Sequence, residues 1–189
     1  MAAPRGDEPL VLDMTTSATA EGKVRVALQK GESLPEGWII DGEGRPSTNP
    51  ADLYGDPANQ VKPGAILPLG GPMGFKGFGM SVMMDVFCGM LSGYGVVRDD
   101  LPPGTNGIWM FVVDIDKVSP DFHSWMDTYV AHIKGTARQP GVDEILLPGE
   151  IENRRKKERE VQGVVVPDGT WQQTLDLADA LNVSLDEWN

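Results

Sequence analysis

A glycine-rich run, Pro72-Met73-Gly74-Phe75-Lys76-Gly77-Phe78-Gly79, leads into an apolar stretch that continues to Leu91. Residues 77–93 read as one buried helix, apolar nearly all round, which suits a helix enclosed by protein or lying in a subunit interface. Gly77 and Ser81, then Gly89 and Gly93, recur four apart, so in a helix they share a face and allow another element to approach closely. Each glycine inside a helix costs about 1 kcal/mol relative to alanine. Several together therefore imply tight packing or a ligand nearby. Glycines also let the backbone turn tightly around a ligand. A helix start adds N–H groups and a positive dipole end, and Lys76 adds a mobile positive charge. The run either holds an anion such as phosphate or carboxylate, or is an ordinary loop-to-helix junction. It matches neither the Walker A spacing nor a Gly-x-Gly-x-x-Gly fingerprint after a strand.

A second terse segment is Leu10-Val11-Leu12-Asp13-Met14-Thr15-Thr16-Ser17. Residues 10–14 read as a short buried strand, behind a loose leader over residues 1–9. Asp13, at the strand end, either accepts ribose hydroxyls or caps the next turn through backbone N–H groups. Residues 23–30 alternate in part and predict a strand or the start of a helix. Residues 31–72 are rich in turn signals, long for a structureless loop, and are expected to wrap a surface or edge a cleft. Residues 107–115 are apolar on both faces and predict a central, covered strand. Phe122, Trp125, Met126, Tyr129, Val130 and Ile133 form one apolar helical stripe, which Pro140-Gly141 ends. Pro148-Gly149-Glu150 then opens a charged helix over 151–160. A short strand over 163–166 follows, and Thr170 with Gln173 predicts a capping box for a last helix through Ala180.

Composition excludes several classes. The 189 residues carry a formal net charge of -12, which disfavours a phosphate-backbone partner, and the five tryptophans are not interleaved with basic residues. Cys88 is the only cysteine, so no intrachain disulfide or multi-cysteine metal site can form, and a reducing compartment is the default. The N-terminus lacks a signal-peptide pattern and the longest apolar run is too short to span a bilayer, so a cytoplasmic location is expected, without membrane or nucleic-acid partners. His123 and His132 have no ligand partner at metal-binding spacing, so no metal is assigned. Arg154, Arg155, Lys156, Lys157 and Arg159 are nearly cancelled by Glu150, Glu152, Glu158 and Glu160. They read as a solvated, salt-bridged helix, with one arginine free to face a phosphate.

Taken in order, these motifs resemble the malate/L-lactate dehydrogenase-like (type-2) oxidoreductases. The matching stretches are Leu12 to Ser17, Gly22-Lys23-Val24, Leu34-Pro35-Glu36-Gly37-Trp38, Leu67-Pro68-Leu69-Gly70, Gly74 to Gly79, Leu91-Ser92-Gly93 and Leu147-Pro148-Gly149-Glu150. The resemblance covers about residues 10–180 and is read as the family's C-terminal half only. It implies an α/β (α+β-like) fold: a mixed, largely antiparallel sheet with helices in a non-Rossmann cofactor domain, plus a small C-terminal helical and strand tail. Residues 10–138 would form a partial cofactor domain. Residues 139–189 would dock on an N-terminal domain or another subunit. The resemblance also implies NAD or NADP as cofactor and hydride transfer between it and a small 2-hydroxy or 2-oxo acid such as malate or lactate, in a homodimer. Asp13, Met14 and Thr15 match the segment lining the cofactor. Lys76 matches the lysine of the glycine-rich loop, and Gly149, Glu150 and Arg154 match a C-terminal segment approaching the cofactor.

Nothing in the sequence matches the family's Ser-His pair, catalytic histidine or substrate-binding arginine, so no residue is assigned a catalytic role. Three readings stay open: part of a hydride-transferring dehydrogenase, inactive alone and completed by another chain; a non-catalytic protein that retains cofactor binding or a dimerisation role; or a poorly folded remnant.

Overall fold

The computed structural model describes residues 1–98 and 106–184. In chain order these carry strands β1 (Ala2–Ala3) and β2 (Leu10–Val11), helix α1 (Glu21–Lys30), strands β3 (Ile39–Ile40) and β4 (Pro46–Ser47), helix α2 (Ala51–Tyr54) and strand β5 (Ala65–Ile66). Helices α3 (Phe75–Met84), α4 (Ile115–Val118), α5 (Phe122–Lys134), α6 (Glu150–Gln162) and α7 (Asp168–Leu181) follow. Helix takes 45% of this and strand 8%. The expected α/β fold built on a mixed sheet is therefore corrected: the fold is mostly helical, with two small antiparallel sheets. The physical reason is a lack of partners. Residues 107–115 and 163–166 have the composition of strands but pair with nothing among the described residues, and Val112 and Val165 are 90% and 92% exposed. A strand needs a neighbouring backbone as well as the right side chains.

The chain forms two compact units, Met14–Ser119 and Met1–Asp13 with Pro120–Asn189. In the first, the core is Val24, Ala27, Leu34 and Ile39, with Trp38, Leu53 and Ile66 packed against it. Residues 23–30 belong to a helix because Val24 and Ala27, three apart, share its buried face. Gly31, at φ 68, closes that helix by donating its N–H to the last-turn carbonyls. The stretch 31–72 is ordered: β3 lies between β4 and β5, and Ile39, fully buried, pairs with Ser47 and Ile66. Trp188 lies outside the described residues.

The run around Gly77 behaves differently from expectation. The single helix over 77–93 is two pieces, α3 and a π-helical turn, Asp85–Met90. Gly77 is buried directly against the Leu69 backbone, and Gly89 lies beside the Gly95 carbonyl, so the two glycines serve two separate contacts. The rest of α3 is not enclosed: Phe75 is 64% and Phe78 62% exposed.

In the second unit β1 pairs with β2, and the Met1 amino group donates to the Leu12 carbonyl at 2.8 Å, so residues 1–9 are not a loose leader. On α5 the expected stripe is half covered: Phe122, Met126, Val130 and Ile133 are partly buried, whereas Trp125 and Tyr129 are exposed. The capping box of the last helix does not form. Helix α7 begins at Asp168 behind Pro167, which places Thr170 inside the first turn.

A Cβ on Gly77 would stand 2.3 Å from the Leu69 carbonyl oxygen, while one on Gly79 would meet nothing within 4 Å. Gly77→Ala is expected to destabilise by about 1–3 kcal/mol through overpacking. Gly79→Ala should stabilise by up to about 1 kcal/mol through helix propensity. Urea unfolding midpoints of the two variants against the parent chain check both.

Candidate cofactor site

In the unit formed by residues 1–13 and 120–189, the chain after β2 runs beside the entry to α6. The Val11 N–H donates to the Pro148 carbonyl at 3.1 Å. Gly149, at φ 93, caps the start of α6, and a Cβ there would meet the Val11 nitrogen at 3.2 Å. Both backbone conformation and close approach therefore call for glycine. These two segments and the first turn of α6 line a cavity of about 550 Å³, formed by residues 11–13, 146–149 and 151–153. That volume lies within the usual range for small-molecule sites, roughly 300–1,000 Å³. Leu12, Leu146, Leu147 and Ile151 give it apolar walls; Asp13 and Glu152 give it carboxylates, and no lysine or arginine among the described residues lines it.

Behind this wall lies a chain of seven alternating charges. Lys157 pairs with Glu8, Glu8 with Arg5 at 3.8 Å, and Arg5 with Glu150 at 3.4 Å. Glu150 pairs with Lys134 at 2.5 Å, Lys134 with Glu144 at 3.5 Å, and Glu144 with Arg154 at 2.5 Å. Glu150 is the centre. Its side chain is only 12% exposed and accepts from Lys134 Nζ, from Arg5 Nη1 and from the Leu147 N–H at 2.9 Å. Burial pushes its carboxyl up, but the hydrogen bonds from Lys134, Leu147 and Arg5 outweigh burial and hold it at about 2. The Glu144 carboxyl is likewise held low by its hydrogen bond from Arg154, and the Glu8 carboxyl by its hydrogen bond from Lys157.

Of the residues singled out from the sequence, Asp13 and Gly149 line this one cavity. The Asp13 carboxylate makes no hydrogen bond among the described residues, so the capping alternative is not realised and its oxygens are available. Glu150 and Arg154 do not line the cavity; their side chains are taken up by Lys134 and Arg5, and by Glu144. Arg154 therefore does not stand free to meet a phosphate.

Met14, Thr15 and Lys76 belong to the other unit. There Thr15 Oγ1 donates to the Ser17 carbonyl, Leu69 N–H donates to the Thr16 carbonyl at 3.0 Å, and Thr16 Oγ1 meets Ser81 Oγ of α3 at 2.6 Å. The Thr15–Ser17 run, the Leu67–Gly70 run and the glycine-rich helix thus come together as one packed group. Lys76, the second residue of α3, is exposed and forms no ion pair among the described residues. Met14 is 46% exposed. Among the described residues no group of three His, Cys, Asp or Glu is placed to hold a metal ion, and no helix is long and apolar enough to cross a membrane.

Arg5, Lys134 and Glu144 were not legible as members of this arrangement. Glu150 lies 145 residues from Arg5 and 16 from Lys134, and no local pattern links charges at such separations. Helix α6 was expected to balance its own charges, yet within it only Lys156 and Glu160 pair among the described residues.

A family model described as malate/L-lactate dehydrogenase matches residues 1–174. The chain belongs to that family. The match corrects the expectation of a C-terminal-half-only resemblance over residues 10–180: it takes in nearly the whole chain, residues 1–9 included. L-lactate dehydrogenase of Cupriavidus necator is 35% identical over 188 residues, covering 96% of this chain and 51% of that protein. L-sulfolactate dehydrogenase of Methanothermobacter thermautotrophicus is 34% identical over 183 residues, covering 93% and 49%. The solved malate dehydrogenase of Pyrococcus horikoshii superposes with a TM-score of 0.74 at 27% identity, covering 97% of this chain and 50% of that one. The chain thus spans about half the length of the curated relatives it matches.

With its folded-state carboxyl near 2 and an ordinary value of 4.5, Glu150 contributes its stabilisation in full above pH 4.5 and loses it as the pH falls toward 2. Glu150→Gln is therefore expected to lower the urea midpoint at pH 7, with the gap to the parent chain closing in acid. A gap independent of pH would contradict this assignment.

Proposed function

We propose that this chain supplies the cofactor-binding part of an oxidoreductase that transfers a hydride between NAD(P) and a 2-hydroxy or 2-oxo acid. Family membership supports the reaction class. The printed activities of the relatives, on L-lactate, L-sulfolactate and malate, support the substrate class, since all three are 2-hydroxy acids. The observation that carries the reading within this chain is the cavity that joins Asp13 to Gly149.

The residues present fit parts of a dinucleotide. Asp13, with its carboxylate unused, can accept ribose hydroxyls. The apolar walls of Leu12, Leu146 and Leu147 can take a planar ring and keep water from it. Asp13 and Glu152 together repel phosphate, so a pyrophosphate belongs elsewhere. Lys76, in the other unit, offers an exposed positive charge that suits an anionic group of a cofactor. When bound, the nicotinamide carries the hydride to or from the substrate's C2. Glu150 and Arg154 then serve by shape, through their ion pairs, and Met14 and Thr15 are assigned to the cofactor by the motif that they share with Asp13. The reading carries with it a homodimeric assembly and a small acid substrate.

Titration of NADH and NADPH fluorescence with the full chain tests the reading. Saturable binding is expected, and Asp13→Asn and Lys76→Ala should each weaken it by about tenfold, some 1.4 kcal/mol. Absence of binding to either nucleotide would overturn the reading, and unchanged affinity in one variant would remove that residue from the site.

A further inference from the structure

We infer that Lys134 and Arg5 are positioning residues that hold the cavity wall through Glu150. The inference rests on the cofactor reading for its binding arm only. Lys134 grips the wall in two places. Its Nζ donates directly to the Ile145 carbonyl at 2.6 Å, one residue before the lining Leu146. It also donates to Glu150 Oε2, and the same oxygen accepts the N–H of Leu147, another lining residue, at 2.9 Å. Arg5 holds the second oxygen of that carboxylate. Arg5 lies in the segment between β1 and β2, and β2 leads on into the opposite wall at Val11 to Asp13. The two walls are thus joined twice: by the Val11 N–H to the Pro148 carbonyl, and by Arg5 through Glu150 to the Leu147 backbone.

Burial distinguishes this from an ordinary surface ion pair. The side chains of Arg5, Glu150 and Lys134 are 16%, 12% and 29% exposed, while the pairs at the ends of the charge chain are open to solvent. Exposed pairs contribute little, whereas removing one partner of a shielded pair leaves the other charge uncompensated. Loss of Lys134 leaves Arg5 as the one cation on Glu150 among the described residues and frees the Ile145 carbonyl, so the Leu146–Gly149 wall loses one of its anchors.

The test compares Lys134→Met, Lys134→Arg and Arg5→Met in the full chain by amide hydrogen exchange and nucleotide titration. In Lys134→Met the Leu147 and Val11 amides should exchange at least about tenfold faster, with Val24 and Ala27 in the other unit unchanged. NADH or NADPH affinity should fall by about tenfold. Lys134→Arg should recover both, and Arg5→Met, which removes the longer contact, should show the same pattern more weakly. Unchanged exchange at Leu147 and Val11 would overturn the inference whether or not a nucleotide binds. Faster exchange with unchanged affinity, in a parent chain that binds, would overturn the positioning role and leave the cofactor reading intact. A parent chain that binds neither nucleotide sinks the cofactor reading, and exchange then decides the anchor alone.

Discussion

One shielded carboxylate organises the unit that carries the cavity. Glu150 accepts from two cations and a backbone amide, and the segments it joins are the N-terminal strand pair, the end of α5 and the loop leading into α6. None of these buries much apolar surface here; Leu147 and Ala178 are the buried hydrophobic residues of this unit among those described. With little hydrophobic burial available, geometry near the cavity is set by charge-assisted hydrogen bonds, which are directional as well as strong. Gly149 completes the arrangement, because its left-handed backbone turns the chain into α6 at the closest approach to Val11.

The other unit is built in the opposite way. A small apolar core around Ile39 and Val24 fixes it, and its glycines bring backbones into contact. The same physical device, glycine used for close approach, appears at Gly77 against Leu69 and at Gly149 against Val11. These are two of the segments on which the family resemblance rested. Much apolar surface is left exposed, including Phe75 and Phe78 of α3 and Met110 to Val112. Such surface favours association over isolation.

Parts of this were legible from sequence. The stripe from Phe122 to Ile133 has helical spacing and forms α5, and the charged run after Gly149 forms α6. Asp13 and Gly149 were singled out by motif and meet around one cavity. What could not be read depends on distant partners. Residues 107–115 have every local property of a strand yet no neighbour to pair with among the described residues. Helix α6 looks self-neutralising, yet Lys157 pairs with Glu8 and Arg154 with Glu144. Register also escaped: Gly77 with Ser81 and Gly89 with Gly93, each pair four apart, imply a shared helix face, but the π-helical turn at Asp85–Met90 shifts the face between them.

The central claim is that the nucleotide enters the cavity between Asp13 and Gly149. Backbone amide chemical shifts followed during NADH titration of the full chain test it most directly. The account predicts that the largest changes fall at residues 11–13 and 146–153, with Gly149 among them. Saturable binding with shifts confined to residues 14–119 would contradict it.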